Sequence, residues 1–223
     1  MQLPPFLSSL LLSVLLCSSL VSLSSSLDVR CTKLNVVDLP SRYVESNADL
    51  KDAVALNVVC GEQSPFGNIK FIDTKMVTDM SFLFANSDFN DDIGLWDVSQ
   101  VTDMKMMFYG SSKFDSDLSR WRTSSVTDMW GMFAFAKSFK GKGLETWDTS
   151  HVSDLSYMFF GAETFAGDVS RWQTHACKAA ASTFKGAKGF KGEVTTNGYL
   201  KGWDISEIDD ADGVYEDLIA QSV

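Results

Sequence analysis

Four aspartates recur at nearly constant spacing, and a line of carboxylates is the first chemistry that this sequence suggests. Asp79, Asp103, Asp128 and Asp154 each stand directly before a short segment whose apolar residues follow helical periodicity. Stacked carboxylates can bind a divalent cation or a basic partner, whereas an aspartate at a helix start accepts hydrogen bonds from backbone N–H groups. Capping explains this placement and metal binding does not require it, so we interpret the four residues as a helix-capping column.

The other candidates for chemistry are incomplete. The DDADG segment at 209–213 resembles a calcium loop, but Ile208 and Ile219 would fill its first and last ligand positions. His151 and His175 lack a third matched ligand for zinc. No nucleophile-elbow, zinc-protease, P-loop or dinucleotide motif occurs in the sequence. The sequence therefore predicts neither an enzyme nor a cofactor, and an enzyme that uses the aspartate column is the least favoured alternative.

The aspartates belong to a repeated segment of roughly 25 residues, which identifies a stacked array. Each copy is numbered here from its tryptophan, or from Ile72 in the first copy, as position 0. Position 7 is the aspartate, and position 12 is phenylalanine in every copy. Copies 1 to 5 begin at Ile72, Trp96, Trp121, Trp147 and Trp172, and Trp203 opens a final WDIS. The predicted repeat core comprises Trp96, Val101, Met104, Phe108, Phe114, Trp121, Val126, Met129, Phe133, Phe139, Trp147, Val152, Phe159, Phe165, Trp172, Phe184 and Phe190.

Within one copy the pattern predicts a short strand, a short helix and a turn-rich return. The VTDM segment is short and β-branched, as strands are. The MxxMFxxA spacing that follows fits about two helical turns, and Gly110 and Gly161 are typical stop signals. One copy buries too little apolar surface to fold alone, so its neighbours must cover it. We therefore predict an α/β solenoid of about five rungs, each a short strand plus a short helix.

The first residues predict an exported chain. Residues 1–26 carry no charged side chain and contain an apolar run followed by small residues, as a signal peptide does. An uncleaved membrane anchor is the alternative, and it is the one way in which this chain would contact a membrane. In an oxidising compartment Cys31 and Cys60 predict a disulfide, whereas Cys177 replaces a core valine and predicts a buried thiol.

Both ends of the array predict caps. The segment from Ser46 predicts an amphipathic helix, capped by Ser46 or Asn47, with Leu50, Val54 and Ala55 on its apolar face. The last residues are acidic and form either a second cap or a tail. The predicted domains are 1–26 as signal peptide, 27–65 as N-terminal helical cap, 66–206 as repeat solenoid and 207–223 as acidic C-terminal tail or cap.

The repeat WDVSxVTDMxxMFxxAxxFxxDLSxW closely resembles that of BspA-like surface proteins, the DUF285 repeat, of roughly 25 to 26 residues. This resemblance implies a curved, leucine-rich-repeat-like solenoid in an exported or surface-displayed protein, with adhesion or protein binding as its function. It brings no catalytic residues. Two departures stand out. The copy from Trp172 loses the Val, Asp and Met signature, and the longer spacing before Trp203 predicts a looser register there.

Composition and surface residues complete the prediction. The formal net charge is −10, which disfavours nucleic acid as a partner. Five aromatic residues occupy positions at which the repeat does not demand apolar side chains, and they form a candidate contact patch: Tyr109, Trp130, Phe135, Tyr157 and Phe160. We predict a secreted or cell-surface module that binds a protein or glycan at the cell exterior. The alternative is a wall or matrix component that associates with itself.

Overall fold

The computed structural model describes residues 44, 46–60, 64, 68–193, 200–204 and 206–208. Within these ranges the regular elements are helix α1 (Asn47–Cys60) and two 3-10 helices, Ile69–Phe71 and Leu144–Thr146. The predicted signal segment, Cys31 of the predicted disulfide and the acidic residues after 208 lie outside the described residues. None of the described helices has the length and apolarity that crossing a membrane requires.

Successive copies lie side by side and pair at the aspartate. Single parallel β-bridges join Asp79 to Asp103, Asp103 to Asp128, Asp128 to Asp154 and Asp154 to Ala179. Neighbouring strands lie about 4.8 Å apart in such pairing. The short strand predicted at VTDM is thus one pairing position in each copy, and the relation to leucine-rich-repeat solenoids stays a prediction.

The segment after each aspartate, predicted as a short helix, is a run of turns. In copy 2 the N–H groups of Met104, Met106, Phe108 and Gly110 donate to carbonyls of copy 3. The N–H groups between them close turns, as Met107 does onto the carbonyl of Met104 at 3.2 Å. The helix prediction is therefore wrong, because lateral donation leaves no ladder of i to i−4 bonds. The apolar spacing fits both structures.

Two positions of every copy have a left-handed backbone, which also ends any helix. An L residue with a side chain costs roughly 1 kcal/mol in this conformation. Lateral pairing imposes the conformation on all copies, so the non-glycine residues there carry that cost. Position 10 is Phe82, Met106, Gly131, Tyr157 and Ser182, and position 14 is Asn86, Gly110, Phe135, Gly161 and Gly186.

The core consists of aromatic files that run from copy to copy. The position-12 rings of Phe84, Phe108, Phe133, Phe159 and Phe184 stack at centroid distances of 5.4, 5.4, 5.9 and 5.6 Å. A second phenylalanine of each copy stacks on its position-12 ring at 3.8 to 4.2 Å. Every residue of the predicted repeat core is buried, with at most 4% exposure. The largest side chains therefore cover one another only when copies are adjacent.

Each position-0 tryptophan from Trp96 onward is hydrogen-bonded to the chain just before the preceding copy. Its indole N–H donates to the carbonyl of the aliphatic residue that stands three positions before the preceding copy begins. These buried bonds satisfy the polar end of a ring that is otherwise apolar. They join Trp96 to Ile69, Trp121 to Ile93, Trp147 to Leu118, Trp172 to Leu144 and Trp203 to Val169, at 2.9 to 3.3 Å.

The register persists through the longer spacing before the last described tryptophan. Trp203 stacks on Trp172 at 6.3 Å, the same centroid distance that separates Trp147 from Trp172. Ile208, at position 5 of this copy, packs against the core where copies 1 to 4 have valine. The register is therefore recovered at Trp203, whereas most of the insertion predicted to loosen it, residues 194–199, lies outside the described residues.

Helix α1 packs its apolar face on the array. Leu50, Ala53 and Val54 are buried, whereas Ala55 is exposed, so Ala53 takes the place predicted for Ala55. Ser46 caps the helix, since its Oγ accepts the N–H of Asp49 at 3.2 Å.

The side chain of Asn47 supplies the hydrogen-bond acceptor that a preceding copy would otherwise provide. Its Oδ1 accepts the N–H groups of Thr78 and Asp79 at 3.0 and 3.1 Å. In the next copy the corresponding N–H groups, of Thr102 and Asp103, donate to the backbone carbonyl of Thr78. A side-chain amide oxygen therefore replaces the carbonyl that a preceding copy would supply.

Replacement of Phe133 by alanine should lower the free energy of unfolding by about 3–5 kcal/mol, because the ring is buried between Phe108 and Phe159. Phe89→Ala should cost less, since the described residues place a neighbour of its own file on one side only. Urea denaturation followed by tryptophan fluorescence measures both. Equal losses of unfolding free energy in the two variants would contradict the stabilising role of the continuous ring file.

Asn47→Ala should speed hydrogen exchange at the amides of Thr78 and Asp79, because both lose their acceptor. Ser46→Ala is the matched control: it removes the α1 cap and should affect the start of α1 but not those two amides. Residue-resolved exchange by NMR separates the two cases. Unchanged exchange protection of Thr78 and Asp79 in Asn47→Ala would refute the conclusion that the Asn47 side chain replaces the acceptor of a preceding copy.

Candidate functional site

The aspartate column stabilises turns. The Oδ1 atom of each aspartate accepts the backbone N–H two residues later, which is the geometry of an Asx turn. The helix-capping interpretation of Asp79, Asp103, Asp128 and Asp154 is therefore wrong about the element that follows, although each side chain does accept a nearby N–H. The donors are Ser81, Lys105, Trp130 and Ser156, at 2.7, 2.8, 2.8 and 2.7 Å.

The middle of the column is electrostatically unfavourable. Burial raises the pKa of Asp128, and the charges of Asp103 and Asp154 raise it further. The Trp130 N–H and the Lys105 charge lower the pKa, but they do not cancel the rise. The three carboxylates thus act on one another across the copies.

Several acidic residues elsewhere in the copies have lysine partners in an adjacent copy. Asp88 pairs with Lys113 at 2.7 Å. Asp117 pairs with Lys142 at 2.7 Å, and this hydrogen bond lowers the pKa of Asp117 to about 2.

The column lacks such partners beyond its first member. Asp79 lies 3.8 Å from Lys51 of α1, whereas Asp103, Asp128 and Asp154 make no ion pair with the described residues. The part of the chain that the structure describes also contains no group of three potential metal ligands. Asp103, Asp128 and Asp154 thus form a line of carboxylates with no ion-pair partner among the described residues.

The five aromatic residues of the candidate contact patch come together from copies 2, 3 and 4, and we call them the aromatic face. The rings form one connected series from Tyr109 through Phe135, Phe160 and Tyr157 to Trp130. Successive centroids are 5.6, 5.2, 5.7 and 5.7 Å apart. Phe135 and Tyr157 are 37% and 38% exposed, and the other three rings are half-buried.

Two residues of the aromatic face are held in strained backbone. Phe135 and Tyr157 have φ values of 59° and 58°; glycine stands at the position of Phe135 in copies 2, 4 and 5, and at the position of Tyr157 in copy 3. Gly161 makes room for the Phe135 ring, because a Cβ there would lie 2.8 Å from a ring carbon. The face is thus built at a cost in backbone energy where glycine would avoid it.

Sequence reasoning overlooked one contact of the aromatic face and one exposed ring outside it. Lys105 places its ammonium 4.8 Å from the centroid of the Trp130 ring, a cation–π contact. Phe82 is a further left-handed, 37% exposed ring at position 10, the position of Tyr157. Lys105 and Trp130 both stand at position 9, in copies 2 and 3. The repeat register therefore contained the signal that these two side chains are neighbours.

A family model for Mycoplasma protein of unknown function, DUF285, matches residues 55–142 and 123–222 of the chain. The chain belongs to the DUF285 family. Comparison with curated proteins and with solved structures found no match. The DUF285 resemblance read from the repeat is therefore confirmed, while the family description assigns no activity.

Asp128→Asn should raise the thermal midpoint of this DUF285 protein near neutral pH. The charged carboxyl is disfavoured in the fold, and the amide oxygen of asparagine can still accept the Trp130 N–H. Because the pKa of Asp128 is raised in the folded state, the penalty disappears once pH falls below the ordinary carboxyl range, and the gain should disappear with it.

Asp148→Asn is the control of opposite sign. The Ser150 hydroxyl and N–H lower the pKa of Asp148, so its charge stabilises the fold at neutral pH and that contribution is lost as pH falls. Differential scanning calorimetry from about pH 3 to 7 measures both variants. A lower midpoint for Asp128→Asn at neutral pH would contradict the electrostatic account.

Proposed function

We propose that this DUF285 protein is an exported or cell-surface interaction module that binds a protein or glycan through the aromatic face. The single observation that supports this function is the gathering of five non-core aromatic rings from copies 2, 3 and 4 into one partly exposed cluster. Contiguous exposed apolar patches mark interaction sites, whereas single exposed apolar residues are ordinary on a protein surface.

Backbone strain supports the same residues. Glycine at positions 10 and 14 would spare the fold roughly 1 kcal/mol per residue, yet Tyr157 and Phe135 stand there. Strained residues cluster at functional sites, where the surrounding structure holds them in place. Tyr157 and Phe135 are also the most exposed rings of the aromatic face.

Export is part of the proposal and rests on the uncharged, apolar residues 1–26. Catalysis by the aspartate column is disfavoured, because one oxygen of each carboxylate is already engaged by a turn N–H. Self-association through the aromatic face is the alternative use of the same rings.

The test removes the rings without removing the fold. The double variant Phe135→Gly/Tyr157→Gly places in copies 3 and 4 the residue that neighbouring copies already have, so the thermal midpoint should change by only a few degrees. Phe82→Gly is the matched control, since Phe82 has the same backbone conformation and exposure but no described ring contact with the aromatic face.

Binding of the labelled mature chain to arrays of glycans and of extracellular proteins is the measurement. We expect wild type and Phe82→Gly to bind the same array members and the double variant to lose them. Light scattering at rising protein concentration reports the alternative, self-association. Binding by the double variant at wild-type strength, or no binding by wild type to either array, would refute the proposed function.

A further inference from the structure

We propose that the aromatic face binds an arginine-bearing segment of a protein partner, with the guanidinium groups placed between the rings and the carboxylates of Asp103, Asp128 and Asp154. This inference rests on the proposed function and deepens it by naming the chemistry of the partner. It is carried by the charge that borders the rings and by the contact that one ring already makes.

The Lys105 ammonium links a ring to a carboxylate, because it lies 4.8 Å from the Trp130 ring centroid and its charge also lowers the pKa of Asp128. The Trp130 N–H donates to Asp128 Oδ1 at 2.8 Å, so this ring begins two residues from a carboxylate of the column. Tyr157 follows Asp154 by three residues in the next copy. The second oxygen of Asp128 and of Asp154 accepts no hydrogen bond from the described residues, so it is available to a donor on the partner.

The aromatic face already accepts one cation. The Lys105 ammonium lies over the Trp130 ring, where the negative face of the indole attracts positive charge. The remaining rings of the series have no cation of this kind among the described residues. The surface therefore favours positive charge and presents more rings than its own lysine covers.

The column has a deficit of positive charge that a partner can supply. Acids such as Asp88 and Asp117 receive lysines from the adjacent copy, whereas Asp103, Asp128 and Asp154 receive none in the described part of the chain. Burial and the two like charges raise the pKa of Asp128, which is the effect expected of carboxylates that lack a counter-charge.

Arginine fits this surface better than lysine or a neutral glycan. Its planar guanidinium stacks on aromatic rings and donates in a fork to carboxylate oxygens, whereas lysine offers a point charge. A neutral glycan would use the rings but leave the carboxylates uncompensated. The combination of exposed rings with unpaired carboxylates on an acidic chain is thus complementary to arginine.

The test uses the full chain and a defined probe, an octapeptide of alternating arginine and glycine. Its matched control is the same peptide with citrulline, which keeps the shape of arginine and removes the charge. By calorimetry the arginine peptide should bind about tenfold tighter than the citrulline peptide, and raising the salt from about 50 to 300 mM should erase most of that difference.

Charge-matched variants locate the contact. Asp103→Asn/Asp154→Asn keeps the turn acceptors and should weaken binding of the arginine peptide about fivefold. Asp148→Asn/Asp168→Asn removes the same charge from exposed carboxylates held by Ser150 and Ser170, and should leave affinity unchanged. Equal binding of the two peptides, or equal loss in the two variants, would overturn the inference.

The two proposals fail in different ways. If wild type binds glycans or neutral proteins through the rings, so that Phe135→Gly/Tyr157→Gly loses them, while arginine peptides bind no better than citrulline peptides, the inference is overturned and the proposed function stands. If the ring variant loses no partner in either set of measurements, the proposed function is overturned together with the inference.

Discussion

The lateral donation of alternate backbone N–H groups from one copy to the next is the interaction on which the rest of the structure depends. A helix satisfies its backbone internally, whereas this arrangement leaves every copy incomplete until a neighbour supplies carbonyls. It brings the side chains of equal position into files one copy apart, which is why Phe133 finds Phe108 and Phe159 on its two sides. It also imposes left-handed backbone at positions 10 and 14.

An array held in this way must be closed by something other than itself. At the described N-terminal end the closure is a single amide oxygen, that of Asn47, which presents the acceptor that copy 1 would receive from a preceding copy. Helix α1 supplies the apolar cover with Leu50, Ala53 and Val54. The cap thus matches both requirements of an open copy, hydrogen bonding and burial, with different side chains.

Much of the core was accessible from the sequence, because the identity of position 12 and the recurrence of tryptophan report which residues must be buried together. The element after the aspartate was not. Apolar residues at positions 8, 11, 12 and 15 fit an amphipathic helix as well as a run of turns, and periodicity alone cannot separate the two. The glycines at positions 10 and 14 carried the missing signal, since Gly131, Gly110 and Gly161 recur inside the supposed helix.

The aromatic face, too, could be predicted from the sequence only in part. Its membership could be predicted, because Tyr109, Trp130 and Phe160 stand at positions where other copies have polar or small residues. The ring contacts, the Lys105 cation–π pair and the lack of an ion pair at Asp128 in the described part of the chain depend on three-dimensional adjacency between copies. Sequence position identifies candidates, and the spacing of the copies decides which of them meet.

The unchanged stacking of Trp203 on Trp172 has a consequence for how such a chain can acquire new parts. Six more residues separate these two tryptophans than separate Trp147 from Trp172, yet the ring that begins the next copy returns to its file. The junction between copies therefore tolerates extra length without loss of alignment. It is a natural place for evolution, or for an engineer, to graft a loop that gives the same scaffold a second specificity.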